Sequence, residues 1–178
     1  MRDDGQAATL PLQVFTVILV AVVMGLALPH ALEFPGKMRL GKQEYLSTQA
    51  IYYPGFTIGG GIGEVLGVLA TLLLVILTPR DNPAFWWTVT AFIAVMATHL
   101  IFWVVTQPVN RYWVSQLKLP NVAQRFFSVD EKDHQAESVQ DQWEALRNKW
   151  EYSHMTRAVC AGIGLISLTV AVATYRTG

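Results

Sequence analysis

Four runs of apolar residues decide what this chain can become: Leu10 to Leu32, Thr57 to Leu77, Phe85 to Val105 and Met155 to Tyr175. About 20 apolar residues in a helix cross roughly 30 Å of hydrocarbon, and each run has, or nearly has, that length. A segment in lipid has no water to satisfy its backbone, so each run is expected to be a helix. The resulting expectation is an all-α integral membrane protein, an antiparallel four-helix bundle that forms one domain over residues 1–178. Its spans fall at about 10–32, 57–77, 85–105 and 155–175, and a long polar third loop, 106–142, leads into an extended fourth helix.

Composition agrees, because 52% of the residues are hydrophobic, only 15% are charged, and the charges cluster between the runs. Thirteen basic and thirteen acidic residues cancel, and no basic face carries interleaved aromatics, so nucleic acid is not an expected partner. The one cysteine, Cys160, has no second thiol in the chain to pair with and reads as a small packing residue. The first run follows an acidic leader, Met1 to Gln6, and exceeds a signal peptide's core, so it is expected to remain as an anchor. Lys and Arg are sparse at the termini and second loop (Arg2, Arg80, Arg176) and frequent in the first and third loops. By the positive-inside rule the termini lie outside and loops one and three are cytoplasmic, in a membrane expected to be the bacterial inner membrane.

Loop one carries Leu46 to Tyr53, a candidate interfacial helix stopped by Pro54-Gly55, whose tyrosines suit an aromatic belt. Gly59 to Gly63 superficially resembles a phosphate loop, but no Lys-Ser/Thr follows. Gly55, Gly59, Gly63 and Gly67 recur every four residues, a stripe that lets another helix approach closely. Pro108 is expected to end the third helix near Gln107, with Asn110 capping exposed backbone groups. In loop three His134 sits among charges and reads as solvated, and Ser138 with Asp141 suits the start of the last helix.

That last helix is expected to run unbroken from Trp143 into the fourth span, carrying Glu151 and His154 on one face where water gives way to lipid. His30 and Glu33 end the first span, and Glu64 and His99 lie in the same half of the second and third. Ionisable residues inside a membrane are costly and mark functional sites, and here all of them fall toward one side. Imidazoles and carboxylates gathered this way suit iron or copper, with His30, Glu33, Glu64, His99, Glu151 and His154 as the candidate ligands. Two of the histidines can alternatively hold a haem. Without any cofactor the same residues serve as proton acceptors and donors, with His30, Glu33, Glu151 and His154 as the candidate catalytic set. The plainer alternative pairs Glu151 with Arg147, gives His154 a local hydrogen bond, leaves Glu64 protonated and neutralises Glu33 with Lys37.

His30-Ala-Leu-Glu33 with Pro35 and Lys37, Tyr45 to Tyr52, Phe102-Trp103, Pro108-x-Asn110 and Trp143-Glu-x-Leu-Arg147-x-x-Trp150-Glu151-x-x-His154 resemble the anthrone-oxygenase-like family of small four-helix membrane proteins. The resemblance implies oxidation of polycyclic anthrones by dioxygen without a cofactor, and marks His30, Glu33, Asn110, Trp150, Glu151 and His154 as matched positions. Loop three is longer here than the family pattern. Two functions are therefore carried forward. One is a membrane oxidoreductase, a monooxygenase being one form, that takes a lipophilic aromatic or quinone-like molecule from the bilayer. In it Trp103 and Trp150 line the site and, with Asn110, bind cofactor or substrate. The other is a non-catalytic accessory subunit, with the glycine stripe and loop three contacting further copies or other membrane subunits.

Overall fold

The computed structural model describes residues 3–53, 55–116 and 142–175. His134, Ser138 and Asp141 lie outside them. Among the described residues every element is helical: α1 (Asp3–Lys37), α2 (Lys42–Tyr52), α3 (Gly55–Leu77), α4 (Phe85–Ile101), a π turn (Phe102–Thr106), α5 (Gln107–Gln116) and α6 (Trp143–Thr174). Four stretches have the length and apolarity to cross a bilayer: Thr9–Lys37, Gly55–Leu77, Phe85–Trp113 and Trp143–Thr174. The protein is an integral membrane four-helix bundle in which α1, α3, α4 and α6 pack side by side.

The final helix is unbroken from Trp143, as its sequence predicts. Two other boundaries differ from expectation. Helix α1 passes through Pro29 and Pro35 to Lys37, which puts His30, Glu33 and Lys37, three and four residues apart, on one face. The third spanning helix does not stop before Pro108, so residues 106–116 are helix rather than the start of a loop. The π turn is the reason. Pro108 has no N–H and its ring crowds the preceding turn, and a widened turn immediately before it, where the Gln107 N–H donates to the Phe102 carbonyl, gives the ring room without breaking the rod. Thr106 Oγ1 lies 2.9 Å from Ser153 Oγ and ties this turn to α6.

Helix α2 is not a free interfacial helix. It buries Tyr45, Gln49 and Tyr52 against the bundle. Tyr52 and the adjoining Tyr53 are likewise buried instead of standing in an aromatic belt, because their hydroxyls have partners inside. Tyr45, Tyr52, Val109, Trp113 and Trp150 form the core at this end, while Val20, Leu74, Ala91, Val95 and Leu168 form a separate one in the bundle.

Small residues set the helix spacing. A Cβ on Gly63 would stand 3.5 Å from Val23, and one on Gly67 3.7 Å from Val95, so the glycine stripe of α3 seats α1 and α4. The tightest seam is at Gly164 of α6, where a Cβ would meet Val95 Cγ2 at 3.1 Å with the Ala91 carbonyl 3.6 Å away. Gly164→Leu should overpack this seam by about 1–3 kcal/mol. Gly162→Leu, which meets only the flexible end of Met24, should cost less. Thermal unfolding of the detergent-solubilised variants checks the order; equal stability would contradict this seam.

Candidate functional site

Between α1, α3, the π turn and α6 lies a cavity of about 490 Å³, a size suited to a small organic ligand. Its walls are largely apolar, from Val23, Leu26, Phe56, Ile62, Val65 and Phe102, and His30, Glu64, His99, His154 and Arg157 reach it. Gly60 and Gly61 line it, and a Cβ on Gly60 would meet nothing within 4 Å, so its missing side chain is cavity space. Ile58, Ile62, Val65, Leu66 and Trp103 line the cavity and are also exposed on the outside of the bundle. At this wall one layer of side chains separates the cavity from lipid.

Two cations organise the polar residues. Lys37 is almost fully buried, and its Nζ lies 3.2 Å from Glu33, 3.6 Å from Glu151 and 3.3 Å from His30 Nδ1, above the rings of Tyr52 and Trp150. Arg157 donates to Glu64 and sits 3.2 Å from His154 Nε2. Glu64 is also 3.4 Å from His99 Nδ1, and Trp103 Nε1 donates to His99 Nε2 at 3.0 Å. The two groups meet where the rings of His30 and His154 approach to 4.3 Å between centroids, beside Trp150. All six carboxylate and imidazole residues singled out from sequence therefore join one network.

Lys37 pairs with Glu33 as the plainer alternative expects, but other partners differ. Glu151 does not pair with Arg147, whose guanidinium lies over Trp143; it accepts a 2.8 Å bond from Tyr45 and faces Lys37. Glu64 is paired with Arg157 rather than standing alone. His154 does make a local bond, with Nδ1 at 2.9 Å from the Trp150 carbonyl. That carbonyl only accepts, so Nδ1 carries the ring hydrogen and Nε2 holds the lone pair facing Arg157. For His30 the Lys37 ammonium donates to Nδ1, which leaves the hydrogen on Nε2.

Asn110 is not a helix cap. It sits inside α5, and its Oδ1 accepts from Tyr53 at 3.0 Å and from Trp150 Nε1 at 2.7 Å. Tyr45 and Tyr52 close the far side of the Lys37 group by donating to Glu151 and Glu33. Burial first, and then the neighbouring carboxylates, push both phenols well above the ordinary tyrosine value, so they remain donors. Burial alone pushes Tyr53 the same way.

The donor set does not fit a metal. Among the described residues no three His, Cys, Asp or Glu side chains are grouped to hold one. Lys37 and Arg157 instead stand against Glu33, Glu64, Glu151, His30 and His154, so positive charge already occupies the space between the donors. Nor do His30 and His154 fit a haem, since rings 4.3 Å apart leave no room for a macrocycle between them.

Arg157, the tyrosines of α2 and Lys37, expected only to neutralise Glu33, are the members to which reading from sequence assigns no ligand or catalytic role. Their signal was electrostatic: a buried carboxylate requires a cation or donors, and Lys37 and Arg157 lie one turn from Glu33 and His154. The sequence profile described as anthrone oxygenase matches residues 53–167. No curated protein and no solved structure matches the chain. The matched span holds Glu64, His99, Asn110, Glu151, His154 and Arg157; His30, Glu33 and Lys37 precede it, and their place in the site rests on the structure.

Removing Lys37 strands Glu151 as a buried charge. Lys37→Met should destabilise the protein by about 3–5 kcal/mol, and adding Glu151→Gln should restore much of the loss. Thermal unfolding of the two single variants and the double variant checks this, and purely additive losses would contradict it.

Proposed function

The chain belongs to the anthrone oxygenase family, and from that membership and the cavity we propose that it is a membrane-embedded oxygenase of lipophilic polycyclic aromatics. The observation that carries the proposal is the pairing of an apolar cavity, one side chain from lipid, with a neutral histidine beside a fixed cation. An anthrone has little affinity for water and partitions into the bilayer, so entry past the exposed side chains of α3 and Trp103 suits it.

The chemistry begins at a methylene group made acidic by a ring carbonyl. His154 Nε2 is the proton acceptor: its Nδ1 hydrogen is anchored on the Trp150 carbonyl, and substrate entering beside Arg157 draws the guanidinium over its ring face, away from Nε2, and frees the lone pair. The electron pair left on carbon spreads to the ring oxygen. Dioxygen then forms the new carbon–oxygen bond, and the positive charges of Arg157 and Lys37 favour the anionic peroxide that results. The proton held by His154 goes to the peroxide, the oxygen–oxygen bond breaks, the second methylene hydrogen leaves, and water departs. In sum, a CH2 group and O2 become a carbonyl and water. The substrate supplies every electron, so no external reductant enters, and one oxygen atom reaches the product. Glu33, Glu64 and Glu151 position the cations. His30 presents its Nε2 hydrogen as a further donor.

The distribution of Lys and Arg supports a site in the cytoplasmic half of the bilayer, with both termini outside. Purified protein in lipid nanodiscs, supplied with anthrone, should consume oxygen. In His154→Ala, with assembly unchanged by gel filtration, the rate should fall by about 10²–10⁴-fold. Undiminished uptake would contradict the assignment of His154. Absence of uptake in the parent protein across anthrones would favour a non-catalytic subunit.

A further inference from the structure

The carboxamide of Asn110 has one half engaged and one half without a partner among the described residues. Indole Nε1–H can only donate, so the Asn110 atom 2.7 Å from Trp150 Nε1 must be oxygen, and the Tyr53 hydroxyl supplies its second bond at 3.0 Å. The amide nitrogen is thereby aimed away from both. Asn110 is only 5% exposed, yet Nδ2 has no acceptor among the described residues. The buried amide of Gln49 provides a contrast, since both its polar atoms are sealed off without partners. Asn110 Nδ2 is not one of the atoms sealed without a partner, and Asn110 lines the cavity. A donor clamped by two bonds on its oxygen, pointed at a space in an otherwise apolar wall, lowers the energy of the site only when an acceptor arrives.

We propose that Asn110 Nδ2 is the hydrogen-bond donor that reads a ring oxygen of the bound aromatic, at a point of the cavity separate from the His154–Arg157 pair. The identity of the aromatic rests on the oxygenase reading above; the donor itself does not. Asn110 and His154 both touch Trp150, one at its Nε1 edge and the other against its ring face. A planar polycycle lying along that indole presents one end to the histidine and the other to the amide. In an anthrone those ends are the methylene and the carbonyl oxygen across the central ring. The ligand class that fits is therefore a fused aromatic bearing a carbonyl or phenolate oxygen opposite the reacting carbon, and Asn110 sets which end faces His154. Its donor also meets the oxygen on which negative charge collects when the methylene loses its proton.

Asn110→Asp tests this, because a carboxylate keeps both acceptor bonds from Tyr53 and Trp150 and replaces only the donor. Binding of 9,10-anthraquinone and of anthracene, which has the same rings and no oxygen, is measured at pH 8 by quenching of tryptophan fluorescence in nanodiscs. The expected result is anthraquinone bound at least about tenfold more weakly by the variant, with anthracene binding unchanged. An equal loss for both ligands, or no loss for anthraquinone, would overturn the proposal. Should Asn110→Asp not assemble, Asn110→Leu, similar in size and without a donor, should give the same contrast between the ligands, and its absence there would likewise overturn it. The two readings fail separately: the contrast without oxygen uptake on any anthrone would leave the donor assignment standing and remove the oxygenase, whereas uptake without the contrast would remove only the donor assignment.

Discussion

Neutralising carboxylates inside the bilayer is the requirement on which the rest of this structure depends. Glu64 and Glu151 are nearly or fully buried in a lipid-spanning bundle, and an isolated charge there is unstable by several kcal/mol or more. Arg157 and Lys37 meet that requirement from opposite ends of the chain, one on α6 and the other at the end of α1. Each pair holds two helices together: Lys37 joins α1 to α6, and Arg157 joins α6 to α3. The histidines are then set between the cations. The polar cluster is thus both a clasp for the bundle and a fixed field around the cavity.

That clasp requires helices that continue where a simpler reading would end them. Lys37 reaches Glu151 because α1 passes through Pro29 and Pro35. Asn110 reaches Tyr53 and Trp150 because the π turn absorbs Pro108 and α5 continues the rod. Helix α2 completes the arrangement, since its tyrosines donate to Glu33 and Glu151 from the side that faces away from the membrane core. Four spanning helices provide the walls, and the short helix provides the donors that would otherwise have to come from water.

Much of this was legible in the chain. The four spans follow from apolar length, the unbroken α6 from the absence of Gly and Pro around Glu151 and His154, and the convergence of polar residues from their common side of the spans. The helix-packing role of Gly63 and Gly67 followed from their spacing. Pairing was legible only in part: Lys37 meets Glu33 one turn away, as the spacing suggests. Arg147 is one turn from Glu151 and is the natural partner by sequence, but it lies over Trp143, and Oε1 of the buried Glu151 is met across the bundle by Lys37 and Tyr45. The same physics turned an expected metal-ligand set into a salt-bridged one, because basic residues near the motif carry charge to the places an ion would need. Pro108 misled about Asn110 because a π turn leaves no simple periodic mark in sequence.

In the proposed reaction a base and the fixed positive charges of Arg157 and Lys37 suffice for reaction with dioxygen. It joins the family's chemistry to the geometry: an apolar chamber for the aromatic, His154 for the proton, and Arg157 and Lys37 for the negative charge. Oxygen uptake by chelator-treated protein in nanodiscs, with elemental analysis of the same sample, separates this reaction from a metal-dependent one. One O2 should be consumed per anthrone at an undiminished rate in protein free of iron and copper. Loss of turnover on chelation, restored by adding back iron or copper, would contradict it.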